Sequence, residues 1–177
     1  CDSGEGADIW FTRRELSDIP FWYASPSDWI DPKELISSQN RIDSPVLVAG
    51  EDEIVHVLWS QATSVARDGD ATSILYMGWD GERWSQPLTI FESPNGNFSQ
   101  PSAALDKDGR LLVVWSDSQS GDILFSWANA ARAGRPAEWV DPISLPITQT
   151  TAVSPTILVD DSGTIFVTYA VPINEGR

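Results

Sequence analysis

Three landmarks recur along this chain at one period, and that period restricts the possible folds more than any other feature. The pattern Trp-x-x-Pro stands at Trp29–Pro32, Trp84–Pro87 and Trp139–Pro142, its Trp 55 residues apart each time. A Pro that opens an extended run recurs at Pro45, Pro101 and Pro155, spaced by 56 and 54 residues. Apolar runs ending at Trp59, Trp115 and Tyr169 keep the same 56 and 54. Self-similarity of this kind denotes one supersecondary unit repeated, with each copy burying its neighbour's face.

Each unit reads as four short strands. Strand a follows the Pro ("PSAALD"), strand b is apolar at nearly every position ("RLLVVWS"), strand c follows a polar connection ("DILFSWA"), and strand d starts at the Trp ("WSQPLTI"). Asp-Gly pairs at 80–81 and 108–109 suit tight hairpins, because Gly takes positive φ at little steric cost. A strand apolar on both faces belongs in a sheet covered on both sides. Units of this size arranged around an axis are β-propeller blades. "DPKEL" (Asp31 to Leu35) looks locally like a helix start, but the register places it on strand d. "WANAARAGRPAEW" reads as an enlarged c–d loop carrying a helical turn.

Composition narrows the function classes. The 177 residues carry a formal net charge of −15, which opposes sequence-independent binding to nucleic acid or to anionic bilayers. No apolar run approaches the ~18 residues of a membrane-spanning helix. The acidic blocks "GEDE" and "VDDSG" lack the spacing of a calcium loop, and one His excludes a His-rich metal site. Neither a metal nor a cofactor is expected, and no phosphate loop, dinucleotide fingerprint or nucleophile elbow is present. The one Cys, Cys1, cannot form an internal disulfide. It is either the lipid-modified first residue of a bacterial lipoprotein or a residue at an arbitrary cut.

The repeat resembles the sialidase (neuraminidase) superfamily and its bacterial neuraminidase repeat, the Asp-box S-x-D-x-G-x-x-W. "GWDGERW" keeps Asp80, Gly81 and Trp84, with Gly78 in the place of the Ser. "SWANAARAGRPAEW" keeps Ser126, Gly134 and Trp139, with Ala128 in the place of the Asp. The first copy keeps only Trp29. The resemblance implies an all-β propeller of four-stranded antiparallel blades, six when complete, of which this chain supplies about three equivalents. It also implies a structural role for the six Asp-box residues, with the Trp packed between strands; the spacing of Trp29 puts it in the same role.

In this register residues 1–44 hold strands c and d of a first blade. Residues 45–100 and 101–154 are full blades, and 155–177 hold strands a and b of a last one. The missing blades come either from a longer parent chain or from a second copy closing a ring. Edge strands left open at both ends would be an aggregation liability.

In a four-strand meander the a–b and c–d turns share one rim, and the b–c and d–a connections share the other. Sialidase-like proteins carry their site on the second rim. There this sequence offers Arg41, Asp43, Arg67, Asp117 and Glu175 as substrate contacts, among amides that suit hydroxyl recognition. "NRIDSP" partly matches the family's R-I-P, with Asp43 replacing the Pro, and a bidentate arginine fork is suited to a carboxylate. Tyr76 and Tyr169 fall at core positions, and Tyr23 has no Glu partner in view. His56 replaces Leu112 and Phe166 of the sister strands and reads as a buried structural residue. No catalytic residue is assignable. Two functions follow from the resemblance: a segment of a sialidase-like hydrolase of extracellular glycans, or a non-catalytic propeller module binding glycan or protein at the cell surface.

Overall fold

The computed structural model describes residues 6–15, 25–43, 45–50, 54–62, 72–93, 98–147 and 151–173. The chain divides into two compact units, Cys1–Arg41 and Ile42–Arg177. Among the described residues every extended element is a β-strand and the only helical pieces are single 3-10 turns.

In the first unit β1 (Ala7–Phe11) pairs antiparallel with β2 (Lys33–Ser38), with a bulge between Ile9 and Trp10. The segment "DPKEL" thus gives its Lys33, Glu34 and Leu35 to a strand. A 3-10 turn at Pro26–Asp28 is closed by a capping box, in which Ser25 accepts from Ser27 N while its own N–H donates to Asp28. Trp29 follows this turn and is 48% exposed, which corrects the expectation of a packed position. It lines an open concavity with Thr12, Pro26, Ile30 and Pro32, and among the described residues of this unit β1 and β2 form one sheet with none stacked on it.

The second unit holds two four-stranded antiparallel meanders and a two-stranded sheet. The first meander is β3 (Val46–Ala49), β4 (Val55–Ala62), β5 (Thr72–Trp79) and β6 (Leu88–Ser93). The second is β7 (Phe98–Leu105), β8 (Arg110–Asp117), β9 (Ile123–Asn129) and β10 (Ile143–Ser144). The last pair is β11 (Val153–Val159) and β12 (Ile165–Ala170).

The period of two along β8 explains its composition. Leu111, Val113 and Trp115 enter a cluster with Leu58, Ile74, Tyr76 and Trp139. Leu112 and Val114, on the alternate face, join Ile123, Ala152 and Ile157. The second meander is therefore covered on both faces, and each fully buried aliphatic side chain contributes roughly 1.5–3 kcal/mol. By contrast β12 is largely exposed, with Phe166 51% accessible, although its sequence is as apolar as β8. Its neighbour on one edge is β11, and nothing described pairs with its other edge.

The enlarged connection after β9 folds as two 3-10 turns, Ala130–Arg132 and Pro136–Glu138. The Trp139 indole N–H donates to Ala133 O at 2.9 Å, and its ring meets Tyr76 and Phe91 edge-on. No helix among the described residues is long and apolar enough to cross a membrane.

Candidate functional site

The starts of the inner strands share one irregularity. In β7 the pairing with β8 shifts between Ser99 and Ser102, so Gln100 and Pro101 together face Trp115. In β11 it shifts between Val153 and Thr156, so Ser154 and Pro155 face Tyr169. Before β3, the bridge Ile42↔Gln61 and the pair Val46↔Leu58 leave one more residue on the β3 side than on β4. A β-bulge bends its strand and re-aims a side chain, and bulges concentrate beside functional sites.

Both bulges in β7 and β11 hold a non-glycine residue at positive φ, 54° at Gln100 and 53° at Ser154. Such backbone costs on the order of 1–3 kcal/mol and persists only when neighbouring contacts fix it. Here side chains from the preceding sequence repeat, all within the second unit, do so. The Gln100 N–H donates to Asp43 Oδ2 at 3.2 Å, and the Ser154 N–H donates to Gln100 Oε1 at 2.8 Å. Three residues further along β11, Ile157 N donates to Ser102 Oγ at 3.2 Å. The Asp43 N–H is held by Ser60 O at 2.9 Å. The result is a polar chain, Asp43–Gln100–Ser154, running across the d–a rim from one inner strand to the next.

Asp117 lies on the same rim, opposite Phe98 at the end of β8. Its two carboxylate oxygens accept from Gln119 N and Ser120 Oγ, so it closes the β8–β9 turn. Arg41 is exposed and belongs to the first unit. Arg67, Glu175, Tyr23 and Cys1 lie outside the described residues. The structure therefore joins Asp43 to Gln100 and Ser154, two residues the sequence did not single out. Their signal was present: each directly precedes the Pro of a repeated landmark.

The Asp-box-like residues occupy the opposite rim. Asp80 Oδ1 accepts from the N–H groups of Glu82 and Arg83, and those bonds, Arg83 first, hold its carboxyl below the usual range. Gly81 takes φ 94°, and Trp84 bridges Trp79 with ring centroids 5.5 Å apart. In the second copy Ser126 is buried and donates to Val140 O, Gly134 is exposed, and Trp139 is buried.

The a–b turns of this rim use the same device. Burial would raise the Asp106 carboxyl, but the N–H and guanidinium of Arg110 and the N–H of Asp108 outweigh it and leave it low. Asp160 is held low by Ser162 and by the Thr164 N–H. These carboxylates are turn fasteners.

His56 also faces this end. Its Nδ1 lies 2.9 Å from Tyr76 OH, and both side chains are buried. Burial pushes His56 down to about 4 and Tyr76 up to about 12. The pair is therefore uncharged at neutral pH.

No family model and no curated protein matches the chain. Solved structures do. An α-L-arabinofuranosidase from Lactobacillus brevis aligns at 16% identity with a TM-score of 0.54, over 82% of this chain and 50% of that one. A thermostable family-43 glycoside hydrolase aligns at 11% and 0.53, over 72% and 48%. An α-L-arabinanase from Penicillium chrysogenum, complexed with arabinobiose, aligns at 14% and 0.61, over 94% and 50%. The chain thus spans about half the length of these structures. All three are glycoside hydrolases and none a sialidase, so the part of the expectation they support is the propeller-like fold. That fold is all-β, with four-stranded antiparallel sheets consistent with a propeller-type glycoside hydrolase.

Proposed function

We propose that the chain is a segment of a propeller-type, glycan-acting protein whose d–a rim receives a neutral glycan of the arabinan or arabinoside class. The observation that carries this reading is the Asp43–Gln100–Ser154 chain, a strained polar row at the starts of adjacent inner strands. Carboxylate, amide and hydroxyl groups suit sugar hydroxyls, whereas a sialoside carboxylate needs clustered cations. The names of the matching structures support the substrate class, and the net charge of −15 is consistent with a neutral ligand. Residues 45–100 and 101–154 would then be complete blades. Residues 1–44 and 155–177 would be half-blades completed by a longer parent or a second copy, in an extracellular or cell-surface protein.

Hydrolysis needs two carboxylates flanking the scissile bond. On the described rim Asp117 holds its own turn through both oxygens, Asp122 accepts from Ser144 Oγ, and Asp43 accepts from the Gln100 N–H, so each carboxylate there has a structural bond. That observation favours a second reading for this segment alone, a binding module without catalysis. The sialoside version rests on Arg41 and on Arg67.

One comparison separates the three. The protein is assayed for binding and for reducing-end release on arabinan oligosaccharides and on sialyllactose. Binding with release supports the hydrolase, binding without release supports the module, and turnover of sialyllactose alone overturns the neutral-glycan assignment.

A further inference from the structure

His56 opens a second question, independent of the d–a rim. Its Nε2 is buried and has no hydrogen-bond partner among the described residues. Leaving such a group unsatisfied costs about 1–3 kcal/mol, and sister strands place Leu112 and Phe166 at this position without that cost. His56 lines a cavity of about 320 Å³ at the a–b/c–d end of the second unit, opposite Asp43 and Gln100 along β3 and β7. Apolar Ala49, Ile54 and Leu105 share its wall with Asp106 and Asn129.

Three bonds tie parts of the wall together. Gly50 N donates to Ile54 O at 2.7 Å, Ala130 N donates to Gly109 O at 2.9 Å, and the Asp106 carboxylate is tied to Arg110. Nε2 lies under Gly50, where a Cβ would stand 3.1 Å from it, so a ligand reaches this nitrogen only as that edge gives way.

We propose that this cavity is a second binding site, taking one neutral sugar ring or a similar small polyol through a hydroxyl on His56 Nε2. The hydroxyl follows from the tautomer chemistry. Tyr76 OH either donates to Nδ1, making Nε2 a donor, or accepts from it, making Nε2 an acceptor. A hydroxyl serves both cases, whereas a carboxylate serves one and meets the field of an acidic protein. The volume lies at the lower end of small-ligand pockets, the scale of one ring. The apolar wall suits the C–H face of a sugar.

His56 is the one histidine of the chain, so its ring nitrogens give an unambiguous NMR signal. Uniformly 15N-labelled protein is titrated at millimolar concentration with L-arabinose, D-xylose, glycerol and N-acetylneuraminate. The expected result is a saturable shift of Nε2 with a neutral probe. Gly50→Ala should weaken that probe by about tenfold or more by occupying the space beside the ring. Ala131→Phe, at an exposed position of the wall, gives the same test should Gly50→Ala fail to fold. Absence of any neutral-probe shift, a shift unchanged in the folded blocking variant, or a response to N-acetylneuraminate alone would overturn the proposal.

Discussion

Ser154 donates its backbone N–H to the side-chain Oε1 of Gln100, 54 residues earlier, and both residues hold a left-handed backbone immediately before a proline. One repeat thereby fixes the strained start of the next repeat's first strand. The strain and the bond that sustains it can be separated. Gln100→Gly removes both, while Gln100→Ala keeps the strain and removes the acceptor. The alanine variant is expected to be the less stable of the two by about 1 kcal/mol in urea unfolding. Equal midpoints would show that the backbone at Gln100 is not strained.

The His56–Tyr76 pair sets a pH dependence. His56 titrates near 6.5 when unfolded and near 4 when folded, so between these values the unfolded chain binds the extra proton. Stability is full above pH 6.5 and falls as pH drops toward 4, by up to about 3 kcal/mol. Lowered carboxyls such as Asp106 act below that window, since their contribution is lost only as pH falls through their own folded values. Urea midpoints of wild type and His56→Leu across pH 4–7 should therefore diverge in slope in this range, with the variant flatter. Parallel curves would contradict the assignment.

Removing the Tyr76 hydroxyl strands His56 Nδ1 without changing the ring packing. Tyr76→Phe is expected to cost about 1–3 kcal/mol. Because Nε2 is already unpartnered, the double variant Tyr76→Phe/His56→Leu should recover part of the loss in a thermodynamic cycle. Additive losses would mean that the two side chains are not coupled.

The repeated Trp positions are not equivalent. Trp139 is buried, bonded to Ala133 O and packed on Tyr76 and Phe91, so Trp139→Ala should cost about 3–5 kcal/mol. Trp29 is 48% exposed, and Trp29→Ala should cost less than about 1 kcal/mol. Chemical denaturation of both variants checks the ordering.

Much of the architecture could be read from periodicity. The alternation in β8 requires cover on both faces, and Leu111 and Leu112 do enter different clusters. Gly81 and Gly109 take the positive φ that their Asp-Gly turns demand. Less legible was anything depending on a partner distant in sequence. Nothing local distinguishes Trp29 from Trp139, because exposure depends on which sheet lies over the ring. The bulges at Gln100 and Ser154 were hidden for a similar reason: a residue before Pro is ordinarily extended, and bonds to residues 54 or more positions earlier hold these two otherwise. Asp117 reads as a rim carboxylate in sequence and as a turn fastener in structure, a difference fixed by the orientation of its two oxygens. The sialidase-like motif bears on the fold and carries no substrate information, since Asp80 fastens a turn on the rim away from Asp43.

The most direct test of the d–a rim is the response of glycan recognition to Asp43→Asn. Asparagine keeps an acceptor for the Gln100 N–H, so the inner-strand chain should survive and the urea midpoint should stay near wild type. Calorimetric affinity and turnover on arabinan oligosaccharides should then fall by about tenfold or more. Unchanged binding and turnover in a folded Asp43→Asn protein would contradict the placement of the glycan site on this rim.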